Sequence, residues 1–413
     1  MAIKLRGILS FCFLTLLLGG YFFNIKFELL SFGTFYPAIF FIIFLGSLNQ
    51  INYKNNNGDL LFVVMPIYLA VIVAIISFVI NSPDADYFLV GALFIMATVG
   101  LSSFGFFEAF SRMNSQVLLV AVIFVLVLNA ILMILMFVSP QFQLAYQSIL
   151  SDVSFQIFGG GESALESMYR FRMIGASGFA SYSTGFTQCI GLFFLAVYYF
   201  ITERKLDLIF LAVSVLLIIS ALLSARSSFL GILLWGIFCL IFFRWRFLSI
   251  FAGAFALVVI LFMSLIALMD TDGAEFFSKW LFDLFVSGAS SESLAESIQM
   301  LETPFWDAGV LGFSRWFGDL GYDYFRSADV GFIRLILAGG IGTLLLVVLH
   351  FILIGLFFFA GNSSVFFRVL YIFLMIYLFA IMFKGAIIFD FFAFDFLVLM
   401  LCWVSRKNKK LVA

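Results

Sequence analysis

The chain has 413 residues, of which 64% are hydrophobic and only 11% charged, with a formal net charge of −1. A mean hydropathy of +1.19 lies far above what a water-exposed surface tolerates, so the chain must be solvated largely by lipid. The near-zero net charge excludes a broadly basic surface, and with it nucleic acid as a partner.

Apolar runs of about 17 to 25 residues, enough to cross roughly 30 Å of hydrocarbon at about 1.5 Å per residue, recur about 12 times. They fall at 8–23, 29–48, 60–80, 87–110, 117–139, 183–201, 208–224, 229–243, 247–269, 332–358, 365–382 and 387–404. The expected fold is all-α: a polytopic transmembrane helical bundle forming one integral membrane domain over 1–413. The first run, Ile8 to Phe23 behind Lys4 and Arg6, looks like a signal peptide. No small-residue cleavage site follows it, so it reads as the first span. Cys12, Cys189, Cys239 and Cys402 lie in apolar runs without a CxxC or Cys/His cluster, which predicts inert buried thiols and neither a disulfide nor a metal site.

Two links are long, polar and acid-rich, 140–182 and 270–331, whereas the others are short. Lys and Arg in short loops mark the cytoplasmic side. Lys4, Arg6, Lys54, Arg112, Arg204, Lys205, Arg244, Arg246, Arg368 and the tail Arg406, Lys407, Lys409 and Lys410 form one set. The opposite short links hold only Lys26, Arg226 and Lys384. Both termini are thus expected inside and both long loops outside. Ser163-x-x-Glu166 and Ser293-x-x-Glu296 match the capping-box pattern, predicting short helices from about Ala164 and Leu294. The amphipathic run Leu294 to Leu301, ended by Pro304, suits a membrane surface.

Outer-face cations are the informative exceptions, because insertion disfavours them there. They are Arg170, Arg172, Arg226, Lys279, Arg315, Arg326, Arg334 and Lys384, with Lys26 near the first turn. Planar guanidinium forks bind phosphate bidentately, so Arg at the membrane edge suits a lipid pyrophosphate head group; the plainer reading of each is a snorkelling anchor or a carboxylate partner. The second loop holds many carboxylates, most of which simply solvate it. Asp329, five residues before Arg334, is the best candidate for accepting a proton from an attacking hydroxyl. Gly159, Gly160 and Gly161 lack the Lys-Ser/Thr of a phosphate cradle and read as a hinge. The lone His350 reads as a packed residue. Asp390 and Asp395, inside the last span, need protein partners or water, with Lys384 a candidate for Asp390 and a proton relay the functional alternative. The 61 Phe residues read as lipid-facing and core packing.

Three segments together carry a resemblance: RFRMIGASGFASYSTGF before the span at 183–201, SARSSFLGILLW at the turn after 208–224, and DVGFIRLILAGGIG into 332–358. In order and placement they resemble the O-antigen and exopolysaccharide polymerases of the Wzy type, which carry two large periplasmic loops with functional Arg. The resemblance implies a bacterial inner-membrane glycosyltransferase of lipopolysaccharide or related polysaccharide biosynthesis. It would join undecaprenyl-diphosphate-linked repeat units and release undecaprenyl pyrophosphate. It further implies catalytic Arg226, Asp329 and Glu302, pyrophosphate contacts from Arg170, Arg172, Arg315, Arg326, Arg334 and Lys384, no cofactor, and a chain-length-regulating membrane partner. No external D-x-D pair supports metal-dependent transfer. The alternatives are a lipid-linked oligosaccharide flippase or other transporter, and an O-antigen ligase; ligases use an outer-loop His that this sequence lacks.

Overall fold

The computed structural model describes residues 2–23, 26–27, 30–31, 58–109, 113–149, 173, 175–177, 182–268, 299, 305–318, 324–328, 330–360, 364–391 and 393–407. These are almost wholly helical. We label α1 Ala2–Phe23, α2 Gly58–Asn81, α3 Phe88–Ala109, α4 Ser115–Val138, α5 Pro140–Gln147, α6 Tyr182–Ile201, α7 Leu208–Ser224, α8 Ser228–Leu268, α9 Gly331–Ala360, α10 Val365–Met382, α11 Ile387–Asp390 and α12 Ala393–Lys407. Five helical stretches among the described residues are long and apolar enough to cross a membrane: Phe62–Asn81, Ser115–Val138, Tyr182–Ile201, Gly331–Leu356 and Val365–Met382. The chain is a helical membrane protein.

Hydropathy placed most helix bounds within a residue or two, and those of α7 and α10 coincide with the runs 208–224 and 365–382. Two differences stand out. Leu30–Ser31, at the start of the expected span 29–48, pairs with Lys26–Phe27 in a two-residue ribbon, and the rest of that span lies outside the described residues. The expected span 387–404 is divided into α11 and α12, with extended backbone at Phe391 (φ −132°, ψ 72°). The capping-box helices expected near Ala164 and Leu294 also lie outside the described residues.

The chain divides into two compact units: one of Met1–Leu30, Asn114–Phe155 and Gly160–Glu296, the other of Ser31–Met113, Gln156–Gly159 and Ser297–Ala413. In the first, α4, α6, α7 and α8 pack mutually and α1 lies on α4. Small residues set the spacing. A Cβ on Gly191 of α6 would stand 2.8 Å from Leu126 Cδ1 of α4, and one on Gly185 would stand 2.3 Å from Ser228 Oγ. Asp207 caps α7, its Oδ1 accepting from Phe210 N at 2.9 Å and from the Tyr199 hydroxyl at 2.5 Å. Burial pulls the Asp207 carboxyl upward, but the hydrogen bonds from Tyr199 and the backbone outweigh it and hold the group below the usual carboxylate range. Helix α8 breaks at Arg244 (φ 55°, ψ −144°) and folds back on itself, so that Trp235 meets Phe247 edge to face at 5.4 Å and Gly236 faces Phe251. The RWR segment read as a link in the sequence is the apex of that hairpin.

In the second unit α2 packs against α3 and α9, and α12 lies on α3. Its defining feature is a break in α9 at Gly340 (φ 73°, ψ 174°), a conformation open essentially to glycine alone. Segment 309–314 fills the break with four backbone hydrogen bonds. Ile341 and Gly342 N donate to Gly309 and Val310 O at 3.0 and 3.1 Å. Phe313 and Ser314 N donate to Leu337 and Ala338 O at 2.7 and 2.9 Å. The helix groups left unsatisfied by the break thus regain partners, as buried backbone in an apolar medium requires. Glycine is needed on both sides of the contact: a Cβ on Gly340 would lie 2.0 Å from Val310 O, and one on Gly312 would lie 2.4 Å from Gly340 N.

Candidate functional site

Residues 305–318, with 324–328 bridged to them, are held at one end of the second unit by Asp86, in the turn between α2 and α3. Asp86 N donates to Ser314 O at 2.8 Å. Its carboxylate accepts from Trp316 N at 2.5 Å, Phe317 N at 3.1 Å and Phe88 N at 3.1 Å. Asn81 Nδ2, at the end of α2, donates to Gly312 O at 3.2 Å. Beneath the segment lies an apolar pad of Ala308, Ala328, Val330, Ile333, Ile336 and Leu337. Asp86 was not singled out from the sequence. Its partners lie some 230 residues away, and an Asp ahead of a helix start reads locally as nothing more than a cap.

This framework seats Arg334. Phe317 and Tyr324 form an antiparallel bridge, and Phe325 N donates to Trp316 O at 3.2 Å. The two rings so placed close on the guanidinium of Arg334, whose Cζ lies 3.4 Å from the Tyr324 ring centroid and 4.6 Å from that of Trp316. Arg334 is only 5% exposed, and Trp316 stacks on Phe88 at 4.9 Å. A cation held against aromatic faces keeps its in-plane N–H edges for oxygen acceptors and interacts more strongly for being dry.

Arg315 is half-buried with Cζ 4.7 Å from the Phe325 ring centroid. Arg326 is more exposed and pairs bidentately with Asp307, at 2.9 and 2.8 Å. That hydrogen-bonded pairing holds the Asp307 carboxyl below the usual carboxylate range. The fork of Arg326, expected on a substrate pyrophosphate, is here engaged in tying residue 307 to residue 326. Lys384 is half-buried in the turn after α10, and that turn meets the start of α9, where a Cβ on Gly331 would lie 2.4 Å from Gly385 O. Arg315, Arg326, Arg334 and Lys384 therefore share one end of the second unit. The other end carries Arg368, Arg406 and Lys407, with Lys407 Nζ donating to Met113 O.

Arg226 belongs to the first unit, half-buried in the turn between α7 and α8. Ser228 Oγ donates to Ala221 O at 2.9 Å and closes that turn. Arg170, Arg172, Glu302 and Asp329 lie outside the described residues. Met173, which follows Arg172, donates its N–H to Leu223 O at 3.1 Å, three residues before Arg226. Ala176 N donates to Asn129 Oδ1 at 2.7 Å, and the Tyr146 hydroxyl donates to Ala176 O at 2.9 Å, so Met173 is docked on α7 and Ala176 on α4 and α5.

His350 is packed, as the sequence suggested, but in a specific partnership that local reading missed. Its Nε2 lies 2.8 Å from Asp395 Oδ1 and its Nδ1 2.6 Å from Val63 O. Among the described residues no group of three or more His, Cys, Asp and Glu side chains is placed to hold a metal. Comparison with protein-family models, with curated proteins and with solved structures returns no match for this chain.

Proposed function

We propose that this chain is a membrane-embedded glycosyltransferase of the Wzy type, polymerising undecaprenyl-diphosphate-linked oligosaccharide repeat units at the periplasmic face of the bacterial inner membrane. The observation that carries the reading is Arg334, dry between Trp316 and Tyr324 and accompanied by Arg315 and Lys384. These cations occupy the end of the second unit opposite Arg368, Arg406 and Lys407, the end that positive-inside bias would turn outward. In the reaction an acceptor sugar hydroxyl attacks the anomeric carbon of the donor glycan. The new glycosidic C–O bond forms as the anomeric C–O bond to pyrophosphate breaks, and negative charge gathers on the departing lipid pyrophosphate. Fixed cations stabilise that charge where it develops. Arg334, Arg315 and Lys384 are the residues assigned to it. Asp329 or Glu302 accepts the hydroxyl proton.

A second reading, a lipid-linked oligosaccharide flippase, draws on the buried His350–Asp395 pair, because ionisable residues deep in a membrane commonly mark transport pathways. Gene deletion separates the two. Loss of polymerase should collapse the surface glycan from a ladder to single repeats on lipid A, whereas loss of all surface glycan would favour a flippase or a ligase. Arg334→Gln should reproduce the single-repeat phenotype with the protein still present in the membrane, and Arg334→Lys should recover little, since lysine lacks the planar fork. An unaltered ladder in both variants would remove Arg334 from the site.

A further inference from the structure

We infer that His350 and Asp395 form a mid-membrane binding site for a single proton, carried on Asp395 Oδ1 and donated to His350 Nε2. The depth follows from helix geometry. Gly339 of α9 packs against Leu89 at the start of α3, which fixes the level of the turn between α2 and α3. His350 lies eleven residues further along α9, about 16 Å deeper at about 1.5 Å per residue, and Asp395 lies about 18 Å from Lys407 at the other end of α12. Both residues are buried: His350 is 0% exposed and Asp395 2%.

The hydrogen bonds fix where the protons are. A carbonyl oxygen only accepts, so Nδ1, 2.6 Å from Val63 O, carries a hydrogen. The 2.8 Å contact between Nε2 and Oδ1 then holds one proton, as imidazolium with carboxylate or as imidazole with carboxylic acid. The two forms have the same net charge and differ at Asp395 Oδ2. That atom is buried with no hydrogen-bond partner among the described residues, facing Gly100, whose missing Cβ would stand 3.5 Å away. A carboxylate would spread its charge onto that orphaned oxygen, whereas a carboxylic acid leaves it an uncharged carbonyl, which apolar surroundings tolerate far better. The acid form is the one this site selects.

Among the described residues, the titratable groups around the pair supply no compensating cation. Tyr371 of α10 and Cys402 of α12 are within electrostatic reach of Asp395. The Tyr371 hydroxyl donates to Phe351 O, and the Tyr68 hydroxyl on α2 reaches Ala97 O of α3 at 3.5 Å. Removing the proton would set a carboxylate oxygen against the bare Nε2 lone pair, two acceptors face to face. The bound proton thus joins α2, α9 and α12.

This inference is independent of the glycosyltransferase reading, and its test is spectroscopic. Full-length protein in lipid nanodiscs is compared with Asp395→Asn, whose amide can donate to Nε2 as the acid does, and with Asp395→Ala, which cannot. The infrared difference between wild type and Asp395→Asn at neutral pH should contain the C=O stretch of a protonated carboxyl. Hydrogen exchange over 58–67 and 393–407 should match wild type in Asp395→Asn at neutral pH and rise in Asp395→Ala. Carboxylate bands in place of the acid band, or an Asp395→Asn variant as deprotected as Asp395→Ala, would overturn the assignment.

Discussion

The break in α9 makes Gly340→Ala the most informative single substitution. The native backbone there, φ 73° and ψ 174°, costs a residue with a Cβ about 1–3 kcal/mol. The added methyl would also stand 2.0 Å from Val310 O, a backbone atom that cannot step aside without moving segment 309–314. Four hydrogen bonds between that segment and α9 would be given up, at about 0.5–1.5 kcal/mol net each. The helix itself can recover, because Ile341 N can turn to Leu337 O and Gly342 N to Ala338 O in ordinary helical register. The penalty therefore falls mainly on the loop. Hydrogen exchange with peptide resolution should show 305–318 losing most of its protection while 341–350 keeps its own. Equal protection of both segments in variant and wild type would refute the account, and so would loss of protection throughout the second unit. Activity should fall as well, since Trp316 and Tyr324 would no longer be held over Arg334.

Two further outcomes follow from side chains at the unit ends. Asp307 has a folded-state titration point lowered by Arg326, so its contribution is complete above the unfolded value of about 3.9 and disappears as pH falls through the lower folded value. Acidification below about 3.9 should thus raise exchange in 305–318 of wild type more than in Asp307→Asn, after correction for intrinsic rates; parallel profiles would count against the pair. Asp207→Ala removes the cap of α7 and the Tyr199 contact and should lower stability by about 1–2 kcal/mol, whereas Asp207→Asn, which can still cap, should cost less. Thermal unfolding in detergent distinguishes these, and equal melting of the two variants would assign the effect to charge alone.

The ends of α6, α7 and α10 were legible because each is bounded where apolar residues give way to charge or turn residues, a local property. Even the RWR apex of α8 could be read, since two Arg interrupt an otherwise continuous run. The break at Gly340 could not, because AGGIG inside an apolar run looks like any glycine-containing span until segment 309–314 is seen beside it. The same holds for the candidate site. Arg334 at the head of α9 and Lys384 in a hairpin were visible as charges out of place. Its organiser Asp86 and the pairing of His350 with Asp395 depend on partners 230 and 45 residues distant, and hydropathy periodicity carries no record of such contacts.

The seam between segment 309–314 and α9 also limits how the second unit can move. Two of its four hydrogen bonds are donated by α9 beyond Gly340 and two by the segment to carbonyls ahead of Gly340, so the segment is pinned on both sides of the break and must release both sets to leave. Intermediate positions are therefore penalised, and displacement of the loop by a bound ligand should proceed as a discrete release and not as gradual creep. The segment carrying Trp316 behaves in this respect like a latch with a closed and an open setting, and Gly312 and Gly340 are the two points where the closed setting is cut to fit.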